Sequence, residues 1–108
     1  DSNAKCIVRI DRSDNSVTTH SGKCKRAARA AFDGSFLEAR YRYPYDLTSR
    51  VGNYTHLYIL DDNSLRLINQ ITKTVMTVFK GYWFLDRLGF IGNDIMIWWH
   101  TASQWHNI

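Results

Sequence analysis

Apolar residues along this chain recur at every second position in several short runs, the spacing that puts alternate side chains on one face of a β-strand. The runs KCIVRID and SVTTHSGKC flank the turn cluster Asp14-Asn15-Ser16 and predict an N-terminal hairpin. Further strands are predicted at FLEARYRY, THLYIL, SLRLINQ, KTVMTVFKG and NDIMIWWHT, with PYDLTSRVGN as a loop after the first of them. Asp61-Asp62-Asn63, Asn69 to Thr72 and Gly89 to Asn93 supply turn chemistry between consecutive runs, which is the order of a meander. In FLEARYRY, Phe36, Glu38, Arg40 and Arg42 alternate with Leu37, Ala39, Tyr41 and Tyr43, so one wet and one buried face are expected. NDIMIWWHT is apolar on both sides, which predicts a central strand with Trp98 and Trp99 in the core.

The period changes once. Lys25-Arg26-Ala27-Ala28-Arg29-Ala30-Ala31-Phe32 lacks β-branched residues and stops before Gly34, and so reads as a short helix. Its three- and four-residue spacings put Lys25, Arg26 and Arg29 outward and Ala28, Ala31 and Phe32 inward, under the apolar face of the tryptophan strand. The fold expected is therefore α+β, mainly β: a single small antiparallel sheet or barrel in meander order, with one short helix after the hairpin. The two DNS turns are the only internal echo, and a lone propeller blade would leave its faces uncovered.

A chain of 108 residues fits one domain spanning 1–108, with the opening DSNA set aside as an expected processing or purification remnant. The longest uncharged apolar run, Gly81 to Leu85, is far below the roughly 20 residues of a membrane span. A hairpin centred on Asn15 sets Cys6 opposite Cys24, where Cβ atoms stand about 4.5–5.5 Å apart and a disulfide is within reach. The expected bridge favours an oxidising compartment, so the predicted location is periplasmic or secreted.

Catalytic motifs are sparse. No histidine pair has helical metal-ligand spacing, and no glycine-rich phosphate loop or GxSxG elbow occurs, so no metal and no cofactor is expected. The net charge of +4 is locally concentrated, with Lys23, Lys25, Arg26 and Arg29 within seven residues. Tyr41 and Tyr43 interleave with Arg40 and Arg42, residue types enriched where proteins contact partners, and Trp105 lies near the end of the sequence. These features predict a small extracytoplasmic protein-binding domain of inhibitor or immunity-protein type, without catalysis of its own. Its contact residues are expected to be Lys25, Arg26, Arg29, Arg40, Tyr41, Arg42, Tyr43 and Trp105, and its partner a protein with an acidic surface. The alternative is a cationic toxin-like nuclease in which His20, His56 and His100 share acid and base roles against a phosphate substrate. A third reading is a glycan-binding module with exposed Tyr and Trp as stacking platforms.

Overall fold

The computed structural model describes residues 5–24, 31–81, 85–99 and 104–107, with the backbone course alone for Trp99 and for 104–107. The strands in chain order are β1 (Lys5–Ile10), β2 (Val17–Lys23), β3 (Gly34–Ser35), β4 (Pro44–Thr48), β5 (His56–Asp61), β6 (Ser64–Asn69), β7 (Thr74–Lys80), β8 (Leu85–Ile91), β9 (Asp94–Trp99) and β10 (Gln104–Asn107). They form three antiparallel sheets: the hairpin β1-β2, a five-stranded sheet in the order β3-β7-β6-β5-β4, and a three-stranded sheet β10-β9-β8.

The five-stranded sheet is the middle layer because both of its faces are apolar. Its register pairs Leu57 with Ile68, Ile59 with Arg66 and Ile68 with Val75 on one face. Ile59, Ile68 and Val75 bury there with Ala39 and Tyr41, against Ile7 of the hairpin and Phe36. On the other face Leu60 pairs with Leu65, and both bury with Leu85, Leu88 and Ile97 of β8 and β9. Complete burial of an aliphatic side chain of this size contributes about 1.5–3 kcal/mol, so two separate clusters on one sheet hold the three layers together.

Three sheets replace the single sheet or barrel that the alternation predicts, and among the described residues there is no helix. Most of the predicted helix, residues 25–30, lies outside the described residues. Its last residue is extended: Phe32 and Arg40 exchange backbone hydrogen bonds of 3.1 and 3.0 Å in an antiparallel bridge. An alanine-rich run of eight residues is too short to hold a helix by propensity alone, and here the backbone of Phe32 finds partners across the chain instead.

FLEARYRY is not a strand. Ser35 Oγ accepts from Glu38 N at 3.2 Å and donates to Glu38 Oε1 at 3.0 Å, while Ser35 O accepts from Glu38 N and Ala39 N. The S-x-x-E spacing thus closes a tight turn, and this local bonding overrides the alternation. Part of the expected loop is the edge strand β4, where Pro44 is tolerated because no ladder bond is required of it. β4 carries a bulge at Asp46, whose φ is 52° and whose Oδ2 accepts from Leu88 N at 2.6 Å.

Cys6 and Cys24 are disulfide-bonded, with a Cα separation of 4.8 Å, but in a register different from the expected one. Asn15, at φ 59°, ends the hairpin loop and does not centre it; Ile10 pairs with Val17, and Cys6 faces Gly22. Cys24 lies two residues further along and meets Cys6 diagonally, still on the same face. The tryptophan strand is likewise displaced from its expected place. β9 packs on the Leu60 and Leu65 face, whereas Phe32 is 57% exposed and its carbonyl bonds Arg66 on the opposite face.

Candidate functional site

Arg66 organises one end of the molecule. Its side chain is entirely buried, Nη1 donates to Asp61 Oδ2 at 2.8 Å and to Arg40 O at 2.6 Å, and Nη2 donates to Phe32 O at 2.7 Å and Asp33 Oδ1 at 3.1 Å. Its guanidinium lies 5.1 Å from the centre of the Tyr41 ring. Asp61 is also fully buried, and its Oδ1 accepts from Arg42 N at 2.9 Å and Tyr43 N at 2.6 Å. Burial works to raise the Asp33 carboxyl, but hydrogen bonds from Thr77 and the Arg66 charge outweigh it and hold it below the usual range.

The consequence is a rigid mount for Arg42 and Tyr43. The Tyr43 side chain is half exposed, with Lys5 Nζ 4.9 Å and Arg42 Cζ 5.9 Å from its ring centre. Both distances are within cation–π range, so an aromatic face is flanked by two cations. Arg42 Nε also pairs with Asp62 at 3.5 Å. Beside it opens a polar cleft of about 340 Å³ lined by Arg42, Asp62, Asn63, Ser64 and Lys80 among others.

The predicted contact residues divide. Arg42 and Tyr43 are exposed and adjacent. Tyr41 was expected outward and is instead fully buried, its hydroxyl 2.7 Å from Ser21 Oγ, because Ala39 and Tyr41 turn inward together once the 35–38 turn is closed. Burial pushes its phenol above the ordinary tyrosine value, although the Ser21 hydrogen bond and Arg66 work against this. Arg40 is half-buried and spends Nη1 on Leu37 O and Ala39 O, both at 2.8 Å. Lys25, Arg26 and Arg29 lie outside the described residues, as does the side chain of Trp105, whose backbone pairs with Trp98. Ala31, the first described residue after the basic run, lines the polar cleft.

The described histidines are not brought together for catalysis. His20 is the extra residue of a bulge in β2, its ring tilted 41° against that of Phe36 with centres 4.5 Å apart. Gln70 Nε2 donates to Tyr54 O at 2.5 Å, which turns its Oε1 toward His20 Nε2 at 2.8 Å. His20 Nε2 therefore carries hydrogen, and in the neutral ring Nδ1 accepts from Ser21 Oγ at 3.0 Å. Both nitrogens of this half-buried ring serve the fold. His56 bonds Thr55 Oγ1 through Nδ1 at 2.8 Å and shares its sheet face with Tyr58, opposite to the face under Phe36. His100 lies outside the described residues. Among the described residues no group of three or more His, Cys, Asp or Glu side chains is placed to hold a metal ion.

No protein-family model, no curated protein and no solved structure matches the chain. The residues that sequence patterning missed are Asp61 and Arg66. Asp61 reads as a turn residue, yet it ends β5; Arg66 shares the alternation of Ile68, and a lone charge at an inward strand position is the signal that could have found it.

Proposed function

We propose that the protein is a small extracytoplasmic protein-binding domain of inhibitor type, which engages an acidic partner through the face carrying Lys5, Arg42 and Tyr43. The observation that carries this reading is the mounting of Tyr43. Its half-exposed ring lies within cation–π reach of two cations, on a segment whose backbone is held by the buried Asp61. Tyr and Arg dominate binding hot spots, and a contact already rigid in the free protein loses little entropy on association. The neighbouring polar cleft offers a recess for a partner side chain. The Cys6–Cys24 disulfide supports a periplasmic or secreted location, since such bonds persist in oxidising compartments. Among the described residues, no helix is long and apolar enough to cross a membrane.

The test is retention of a partner from the extracytoplasmic fraction of the source cells, on wild-type protein and on an Arg42→Glu, Tyr43→Ala variant with an unchanged melting curve. A protein held by the first and released by the second, with association weakening as salt rises, is the expected result. Identical retention by both, or cleavage of RNA by the purified protein that His20→Ala or His56→Ala removes, would overturn the reading.

A further inference from the structure

A second surface lies at the other end of β5, about 17 Å away at a strand rise of roughly 3.4 Å per residue. Here four connections meet. The 35–38 turn touches the β6–β7 turn through Phe36 N to Lys73 O at 3.0 Å. The β6–β7 turn holds the β4–β5 loop through Gln70 N to Thr55 O at 2.7 Å. The β8–β9 turn joins that loop around a small recess lined by Arg50, Asn53, His56 and Asn93 together with the aromatic Tyr58 and Phe90. At this end Leu37 is 85% exposed, Val51 93%, Ile71 69% and Ile91 65%, with Tyr54 at 64% on the same loop as Val51.

The turns that carry these side chains are built to hold still. Asn53 N donates to Arg50 O at 2.9 Å around Gly52 at φ 81°, the geometry of a type II turn with Val51 at its corner. Asn53 Oδ1 accepts from Thr55 N and Oγ1, and Asn69 Oδ1 accepts from Ile71 N and Thr72 N. Presenting an aliphatic residue on a braced polar turn runs against the solvent preference of both, and here it happens on three neighbouring connections, with Ile91 at the end of β8 beside them.

We propose that this end is a membrane-contact surface, which inserts the tips bearing Leu37, Val51, Ile71 and Ile91 into the headgroup layer of an anionic lipid bilayer. Separate tips suit a fluid interface, because a rigid protein partner would need a separate socket for each. The composition agrees: the exposed side chains are aliphatic, and the same end carries an exposed tyrosine, an amphipathic ring favoured at membrane interfaces. Charge agrees as well. Arg50 and Lys73 adjoin Val51 and Ile71, neither forms an ion pair among the described residues, and the whole chain carries +4. Arg40, whose Nη1 donates to Leu37 O, is a third cation beside the tips, so that with Glu38 and Asp94 as the nearby acids three cations face two carboxylates and one positive charge remains. An open, mainly apolar groove lined by Leu47, Val51, Tyr54 and Leu57 with Thr48 and Ser49 gives an acyl chain a place to lie.

The experiment is co-sedimentation with vesicles of phosphatidylcholine and phosphatidylglycerol, and with phosphatidylcholine alone. Wild-type protein is expected to sediment with the anionic vesicles, and the Val51→Asp, Ile71→Asp double variant to partition about tenfold less with its melting temperature retained. The indole introduced by Val51→Trp should shift to the blue and be quenched by brominated lipid. Tyr43→Ala should leave sedimentation unchanged, which separates this proposal from the protein-binding face at the other end. Wild-type protein that stays in the supernatant would overturn it. So would vesicle binding that salt abolishes but the tip substitutions leave untouched, or a protein partner lost from the tip variants in the absence of any vesicle binding.

Discussion

Arg66 Nη1 and Asp61 Oδ2 meet at 2.8 Å across the β5–β6 hairpin with both side chains fully buried. A buried ion pair is a weak source of net stability, because desolvation offsets much of the attraction, but removing one partner strands the other charge. Asp61 also receives the backbone N–H groups of Arg42 and Tyr43, so its loss would leave those donors unpaired. Asp61→Ala is therefore expected to destabilise the protein by about 3–5 kcal/mol in urea unfolding. Asp33→Ala, at a carboxylate whose side chain is half exposed, should cost clearly less. Equal losses at the two positions would show that Arg66 does not depend on Asp61 as its main counter-charge.

The same pair shows how far alternation can be trusted. The runs THLYIL, SLRLINQ and KTVMTVFKG are legible as strands because both faces of the middle layer are apolar; β6 and β7 fall inside them, and β5 overruns its own by one residue, Asp61. The pairing of Cys6 with Cys24 was legible too, although a bulge at His20 and a longer loop at Asn15 moved the register. Layering was not. Nothing in the spacing says that β8 to β10 leave the meander to form their own sheet, since that depends on which apolar faces find each other. FLEARYRY failed because Ser35, through its hydroxyl and its carbonyl together, closes a turn on Glu38 and Ala39. Of the expected contact residues, Arg42 and Tyr43 stand exposed, but the buried carboxylate that holds them comes from a strand 18 residues or more along the chain. The loop-end aliphatics did carry a signal, in that Val51, Ile71 and Ile91 each interrupt a cluster of turn residues.

The disulfide closes the hairpin with a sequence separation of 18 residues, for which the chain-entropy model gives about 3 kcal/mol. The distal half of that hairpin has Val8, Ile10 and Val17 exposed, and a two-stranded ribbon is only marginally stable by itself. Replacement of both cysteines by serine should lower the unfolding free energy by about 2–4 kcal/mol, with amide exchange rising first in β1 and β2. Unchanged exchange there would mean that packing of Ile7 alone holds the hairpin on the sheet.

Tyr41 and Tyr45 predict an alkaline limit. Burial is the leading cause that raises both phenols above the ordinary value of 10.0, and for Tyr45 the carboxylates of Asp86, Asp62 and Asp46 add to it. The folded protein then binds more protons than the unfolded chain once pH passes about 10, so the contribution of these groups is fully present at neutral pH and is lost as pH rises toward their folded values. Urea midpoints should be flat up to about pH 9 and fall above about pH 10, and Tyr45→Phe should make that fall shallower. A midpoint that falls equally in the variant would assign the alkaline loss to other groups.

Gly22 and Gly52 share nearly the same backbone, with φ of 84° and 81°, in opposite surroundings. A Cβ built on Gly22 would stand 2.8 Å from Tyr41 Cδ2 and 3.0 Å from Lys5 O, whereas one on Gly52 would have nothing within 4 Å. Alanine at either position bears the left-handed backbone penalty of about 1–2 kcal/mol. At Gly22 it must also displace a fully buried tyrosine ring that sits on Arg66 and bonds Ser21, and overpacking of that kind adds about 1–3 kcal/mol. Gly22→Ala should therefore be the more destabilising substitution, and the excess over Gly52→Ala measures how tightly the hairpin seats on Tyr41. Displacement of the whole Tyr41 ring would carry its hydroxyl away from Ser21 Oγ, which also bonds His20 Nδ1, so the Gly22 variant should disturb the His20 ring signals in a proton spectrum as well. A Gly22 variant no less stable than the Gly52 one would show that the ring is free to move and that the hairpin is loosely seated.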